Sequence, residues 1–491
     1  MNPVLDLAAI ALLVAATAVL GFAGLRISRT TDDFFVASRS VRPVWNASAI
    51  SGEYLSAGTF LGLAGLVLLS GSDGFWFPIG YAAGYLLVLL FVAAPLRRSG
   101  AYTIPDFVEA RLESPTARRI TSIVVLVTGW MYIVPQLHGA AIALGVVADV
   151  PGWVGAVLVA VLVAGIVAAG GMRAVTAVQA MQYWLKLTAL ALPAIFLLLV
   201  LSDGEPSFDP ATVFPPEAGP AGADAYRTAS LLLALLLGTI GLPHVLVRFY
   251  TSPDGVAARR TTVLVVGMVG AFYAVSGTMG LIGRVVAPDL AHPGLADTVV
   301  LALPSRMFPG MLGELLTALV VAGAFAAFLA TSSGLVVSLA GVVSQDVFSG
   351  SVRSFRLAAV LCTLVPLAVA LLTVPSGLVT SVGTVFVFAA SALTPVMLLG
   401  VWWPRLTARG AAAGMVCGAV ACGGALLASA ATVSAPGWVH ALLAQPAAWT
   451  VPLSTCVVVV VSLRDRHGVP ERAERYLARL HLPERRADST G

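Results

Sequence analysis

The sequence predicts an all-α polytopic membrane protein of about 13 transmembrane helices, and three observations predict it. Of 491 residues, 58% are apolar and only 11% charged, against roughly 25% charged in a soluble globular protein. The apolar residues come in continuous runs of about 20, the length that crosses a bilayer as a helix. Arginines gather in alternate connections between those runs, as the positive-inside rule asks of a multi-pass protein. This composition excludes a soluble enzyme, a disordered chain and a secreted disulfide scaffold. Continuous runs exclude a transmembrane β-barrel, whose strands alternate polar and apolar positions.

The runs are 3–25, 46–70, 76–96, 119–147, 152–170, 176–201, 229–250, 261–287, 311–343, 357–374, 377–400, 409–432 and 446–463. The first has no basic residue before it and Arg26 and Arg29 after it. It is expected to be a retained helix with its N-terminus outside, not a cleaved signal peptide. Alternate connections carry Arg39 and Arg42, Arg97 and Arg98, Arg111, Arg118 and Arg119, Arg173, Arg248, Arg259 and Arg260, Arg353 and Arg356, and Arg405 and Arg409. The opposite ones carry only Arg227, Arg284 and Arg306, and the loop 202–228 is acidic, with Asp203, Glu205, Asp209, Glu217 and Asp224. This places the C-terminus in the cytoplasm of a plasma membrane. A single lysine, Lys186, stands against 27 arginines, which with the many alanines, valines and glycines suggests a high-GC bacterial source.

The four cysteines, Cys362, Cys417, Cys422 and Cys456, lie in apolar runs without CxxC spacing and read as small hydrophobes. The tail 464–491 is charged, and 470–482 could form one amphipathic helix lying on the anionic leaflet. No phosphate-binding loop occurs, which argues against an ATP-driven pump.

Two spans are interrupted by polar residues. The run 45–71 holds Ser51, Gly52, Glu53, Tyr54, Ser56 and Gly58, and the run 229–250 holds Gly238, Gly241, Pro243 and His244. Proline removes a backbone hydrogen bond and glycine loosens its neighbours. The two spans lie five apart, so they cross in opposite directions. That is the pattern of an inverted five-helix repeat whose broken first helices meet at the midplane and bind solute and ion there. The chain accordingly divides into 1–45, an extra helix and loop; 46–201, the first repeat; 202–228, an outer loop; 229–400, the second repeat; 401–463, two further helices; and 464–491, the tail. A third span, 322–348, places Ala327 and Thr331 on one face. Its hydroxyls Thr331, Ser332 and Ser333 either supply oxygens to a dehydrated Na⁺ or act as interhelical glue.

Five segments carry a resemblance to a known family: GEYLSAGTFLGLAGLVLLSGSDG at 52–74, YTIPDFVEARL at 102–112, GGMRAVTAVQAMQYW at 170–184, GLPHVLVRFYT at 241–251 and FAASALTPVMLLGVWWPRLTARGAAAGMVCG at 388–418. Over roughly 30–465 the chain resembles the sodium/solute symporters, a branch of the LeuT-type fold, and most of all their acetate and small-monocarboxylate branch. The resemblance implies Na⁺-coupled uptake of a small organic solute such as acetate by alternating access, with no organic cofactor, no nucleic acid and a monomeric functional unit. It implies a cation site at the backbone of Gly52, Leu55 and Ala327 and the hydroxyl of Thr331. Ser332 or a water would substitute for a second hydroxyl where this chain has Ala330.

The solute is expected beside the two breaks, at Glu53, Tyr54, Ser56 and Thr59 from one and Pro243 and His244 from the other. Tyr132 and Gln136, four apart and so on one face, either line that cavity or serve as an interhelical hydrogen-bond pair beside Pro135. His244 is either a solute ligand or a neutral ring satisfying freed carbonyls. His138 reads as packing or a helix-end bond, and Asp346 as a cap or pair at the inner surface. Arg248 is either an inner-gate anchor or a cationic exit station for a carboxylate.

One Na⁺ moved through 100 mV down a tenfold gradient yields about 3.7 kcal/mol, enough for about 500-fold accumulation of a neutral solute. With a monoanion no net charge moves and only the roughly tenfold chemical part remains. A second cation would then help, and Glu53, a carboxylate deep in a span, is the natural proton candidate. The alternatives are a proton-coupled carrier and Na⁺-coupled uptake of a proline- or pantothenate-type solute. An intramembrane enzyme would need paired histidines, HExxH or a Ser–His dyad, a sensor a signalling domain, and a channel a repeated pore loop. The sequence has none of these.

Overall fold

The structure, a computed structural model, describes residues 2–25, 41–202, 222–348, 350–375, 377–431, 437–466 and 468–482, without the side chains of 22–25, 171 and 173. The expected acidic residues Asp203, Glu205, Asp209 and Glu217 and the arginines Arg26, Arg29 and Arg39 lie outside these.

The described residues are helical and contain no strand. The helices are α1 (Pro3–Leu25), α2 (Pro43–Tyr54), α3 (Leu63–Ser70), α4 (Trp76–Leu87), α5 (Ala93–Ser99), α6 (Ile104–Leu112), α7 (Pro115–Ala148), α8 (Gly152–Ser202), α9 (Ala223–Gly241) and α10 (Pro243–Val247). They continue with α11 (Gly255–Val286), α12 (Val299–Met307), α13 (Met311–Asp346), α14 (Val352–Leu372), α15 (Leu378–Ala392), α16 (Thr394–Trp402), α17 (Ala408–Ala431), α18 (Gly437–Ala444), α19 (Ala447–Arg464) and α20 (Ala473–His481).

Among the described residues eleven helical stretches are long and apolar enough to cross a membrane, or twelve with the bent pair α15–α16. One of them, 58–99, is 42 residues long and takes in part of the expected run 46–70 and all of 76–96. The stretch changes character at Gly71, whose φ of +58° ends α3 and opens a 3₁₀ turn, Gly71–Phe75. A residue with a side chain adopts that conformation only at a cost. The expected run 377–400 is likewise two helices meeting at 42°.

Local signals set the helix starts. Thr103 and Asp106 form a reciprocal capping box for α6, Ser114 caps α7 and Asp254 caps α11. Large apolar side chains such as Leu12, Leu90, Val161, Leu372 and Leu427 stay exposed on the outside of the bundle, where lipid covers them. Within the bundle α13 is the axis, buried from Leu316 to Ser344 with few exceptions and packed against α8, α7 and α14.

The amphipathic segment of the tail forms α20, as expected, and that helix also docks on the protein. Leu480 is buried, its carbonyl accepts from Arg98 at 3.1 Å, and His481 Nε2 lies 2.9 Å from the Val401 carbonyl.

Candidate functional site

Two helices break at the centre of the bundle. After Tyr54 the chain leaves helical geometry at Leu55 (φ −77°, ψ 89°), then resumes through a π turn, Gly58–Gly62. After Gly241 it does so at Leu242 (φ −82°, ψ 116°), and Pro243 restarts the helix. Proline suits a first helical position because its missing N–H would have had no partner there. The breaks adjoin: Tyr54 Oη lies 3.2 Å from Thr239 Oγ1 and 3.0 Å from the Tyr81 carbonyl.

A break frees backbone carbonyls, and a freed carbonyl in a dry interior needs a donor or a cation. At the first break the partner is Lys186. Its Nζ donates to the Leu55 carbonyl at 2.8 Å and also to the Gly52 carbonyl. Lys186 is fully buried and comes from α8. That helix can approach because residue 52 is glycine: a Cβ there would overlap the Gln179 carbonyl oxygen. The two carbonyls expected to bind Na⁺ are thus already bonded to the Lys186 side-chain nitrogen. Of the other expected ligands, Thr331 Oγ1 donates to the Glu53 carbonyl at 2.5 Å, Ser332 Oγ is buried without a partner, and Ala327 lies on the buried face of α13. At Ala330, the position without a hydroxyl, the backbone carbonyl accepts from Gln179 Nε2 at 2.7 Å. Two like charges 4 Å apart repel by about 4 kcal/mol at an effective dielectric of 20. A Na⁺ so close to the Lys186 ammonium would therefore bind about a thousandfold more weakly.

Beside this cradle, Glu53 and Arg248 form an ion pair, Nε to Oε2 2.7 Å, with side chains 2% and 1% exposed. Arg248 also donates to Thr176 Oγ1 at 2.7 Å and to Gln179 Oε1, and Met172 Sδ lies 3.0 Å from Nη1. This corrects two expectations. Glu53 does not present its carboxylate to a solute at the break, and Arg248 is not a free cationic station. Each neutralises the other, because an unpaired charge in this interior would cost several kcal/mol.

The remaining expected solute residues lie in and around a closed aromatic cluster. Tyr132 Oη is 2.5 Å from Tyr81 Oη, and its ring centroid is 5.0 Å from that of His244. Tyr54 packs on Tyr81, Tyr85 and Phe386. Gln136 turns away from Tyr132's ring: its Oε1 accepts from Ala57 N at 2.8 Å and its Nε2 donates to the Tyr132 carbonyl. It braces the break. Thr59 donates to the Ser56 carbonyl at 3.0 Å. Pro243, His244, Tyr132 and Ser56 are buried. Both ring nitrogens of His244 and the hydroxyl of Ser56 are buried and lack a hydrogen-bond partner. The hydroxyls of Tyr85 and Tyr273, packed on Tyr54 and Tyr81, are unpartnered as well. Buried polar atoms are almost always paired, so the His244 ring, with both nitrogens open, stands out as a recognition group here.

Two outlying residues behave as expected. His138 Nε2 lies 3.1 Å from the Ala370 carbonyl at the end of α14. Asp346 pairs with Arg118 at 2.7 Å, alongside Asp106 and Glu109. Sequence reasoning missed the functional placement of Lys186, Gln179, Tyr81 and Thr176. The isolated lysine among arginines was the available signal, and Gln179 lies seven residues before it, on the same helix face.

Comparisons with known proteins show the family and the fold. A family model described as sodium:solute symporter family matches residues 34–418. The chain is 31% identical over 438 residues to the uncharacterized symporter YwcA of Bacillus subtilis, covering 83% of each. It is 29% identical over 461 residues to a monocarboxylic acid transporter of Corynebacterium glutamicum, covering 85% of this chain and 82% of that one. Among solved structures, a Na⁺-coupled sialic acid symporter in a substrate-bound outward-open state superposes with TM-score 0.71 at 16% identity, over 94% of this chain and 98% of that one. The nucleobase-cation-symport-1 family transporter Mhp1 superposes at 0.56 and 15% identity, over 91% and 98%. These neighbours share the LeuT-type fold, and the chain, a multi-pass membrane protein, belongs to the sodium:solute symporter family.

Proposed function

We propose that the chain carries a small monocarboxylate into a bacterial cell by alternating access, in symport with a cation. The observation that carries the solute class is the His244 ring, buried with both nitrogens unpartnered against the aromatic cluster of Tyr54, Tyr81, Tyr132 and Phe386. A carboxylate would accept from a neutral imidazole N–H and a hydroxyl, while a short alkyl or keto group packs on the rings. Glu53 and Arg248 neutralise each other, so neither is free to pair with the charges of a larger zwitterion. The C. glutamicum monocarboxylic acid transporter supports the same class. Family membership supports sodium as the coupling cation. The bonding of Lys186 to the Gly52 and Leu55 carbonyls favours a second reading, a carrier coupled to protons.

The test is uptake of labelled acetate, propionate and pyruvate into proteoliposomes under imposed Na⁺ or proton gradients, with proline and pantothenate as contrasts. Accumulation of the monocarboxylates alone is expected. Accumulation of proline or pantothenate in their place would refute the solute class, and the effective gradient separates the two couplings.

A further inference from the structure

We propose that Lys186 is a tethered cation that fills the cradle between the first helix break and α13, so that Na⁺ does not occupy this position in the transport cycle. The inference rests on reading the chain as a cation-coupled carrier of this fold.

A Na⁺ and a lysine ammonium make the same demand of a protein: one positive charge, several oxygen ligands and no bulk. The ammonium is compact and carries three donors. Two of these are placed on the Gly52 and Leu55 carbonyls, the backbone groups that the break sets free. The neighbouring groups are arranged for a resident charge. Thr331 spends its hydroxyl proton on the Glu53 carbonyl, and Gln179 takes up the Ala330 carbonyl. Glu53, the carboxylate beside Lys186, is itself paired with Arg248. With Lys186 protonated the site carries one positive unit, the value that a bound Na⁺ would give a cradle without Lys186. A covalently held cation also pays no translational entropy to arrive, and its repulsion disfavours a second cation in the same oxygens.

Thermal stability of the purified full-length protein, measured in NaCl, KCl and choline chloride at matched ionic strength, tests the inference without any solute. The wild type is expected to show no sodium-selective stabilisation that depends on Thr331. Lys186→Ala is expected to melt lower in choline and to recover selectively in NaCl, with half-recovery at a measurable Na⁺ concentration. Lys186→Gln should behave likewise to a lesser degree. Two results would overturn the proposal. One is a sodium-selective rise in the wild-type Tm that Thr331→Ala abolishes, which remains measurable if neither lysine variant folds. The other is folded Lys186→Ala and Lys186→Gln proteins that gain nothing from Na⁺. Failure of the uptake panel would remove the proposed solute class while leaving these melting curves interpretable.

Discussion

Arg248 and Glu53 join the two broken helices through one buried ion pair, 2.7 Å from Nε to Oε2. Glu53 lies just before the first break and Arg248 just after the second, as an antiparallel repeat requires for them to meet on the same side of the aromatic cluster. The pair therefore closes that side and ties α2 to the segment following α10. The same arginine reaches Thr176 and Gln179 on α8, so three elements share one guanidinium. Alternating access would have to loosen this junction, since it crosses between the repeats.

Removing one member of the pair should be worse than removing both. A lone buried charge costs about 3–5 kcal/mol, whereas a neutral pair of similar volume is often tolerated. Glu53→Gln and Arg248→Met are each expected to lower the yield and melting temperature of folded protein. The double variant is expected to recover much of the stability but not the uptake rate. Melting curves of the four proteins check this, and additive losses would contradict it.

The Glu53 carboxylate lies against Gly334 on α13, where an added Cβ would overlap both the carboxyl carbon and an oxygen. Gly334→Ala is thus expected to displace Glu53 from Arg248 even though alanine is the better helix former. The expected result is a loss approaching that of Glu53→Gln. Little further loss should follow when the two substitutions are combined, because both act on one contact. A stabilised Gly334→Ala protein would show that the pair has room to move.

Arg118 gathers three carboxylates at the start of α7: Asp106 at 2.8 Å, Glu109 at 2.5 Å and Asp346 at 2.7 Å. These side chains are partly exposed, so each pair contributes about 1 kcal/mol or less and salt weakens it. Because one guanidinium links carboxylates of α6 and the end of α13 to α7, Arg118→Ala is expected to loosen this junction more than it destabilises the fold. The prediction is a small fall in melting temperature, shrinking in high salt. It should come with a larger rise in labelling of a cysteine introduced at Ser122, whose hydroxyl bonds Asp346. Equal labelling in both backgrounds would assign the cluster to stability alone.

The architecture was legible because it rests on apolar run length, which the bilayer dictates. The breaks were legible too, since glycine, serine and proline act locally on the backbone. Partner choice at the breaks was not. Glu53 and Arg248 are 195 positions apart, and each looks like a solute or proton group when read on its own helix. Lys186 was visible as the only lysine, but a lone residue in an apolar run does not declare which face it takes. The requirement that freed carbonyls find a partner pointed to some cation, and only the packing of α2 on α8 through Gly52 shows that the chain supplies it. The turn at Gly71 was legible from its polar GSDG sequence, whereas Leu393 turns the chain without interrupting its apolar character.

His244 gives the most direct test of solute recognition. Its ring is buried at the second break, 5.0 Å from Tyr132 by centroids, with both nitrogens unpartnered. A structural histidine in such a place would bond a freed carbonyl, as His138 does at Ala370. A hydrogen bond to a carboxylate is worth about 1.5–3 kcal/mol, which corresponds to about 10- to 150-fold in affinity. His244→Ala is therefore expected to raise the KM for a monocarboxylate by about that factor with little loss of folded protein, since no native hydrogen bond is broken. His244→Gln keeps a side-chain N–H donor and should recover part of the affinity. Ser56→Ala should cost less, because a hydroxyl is the weaker and more mobile donor. Initial-rate uptake over a range of solute concentrations separates KM from the maximal rate. An unchanged KM with a lowered melting temperature would move His244 from solute recognition to packing.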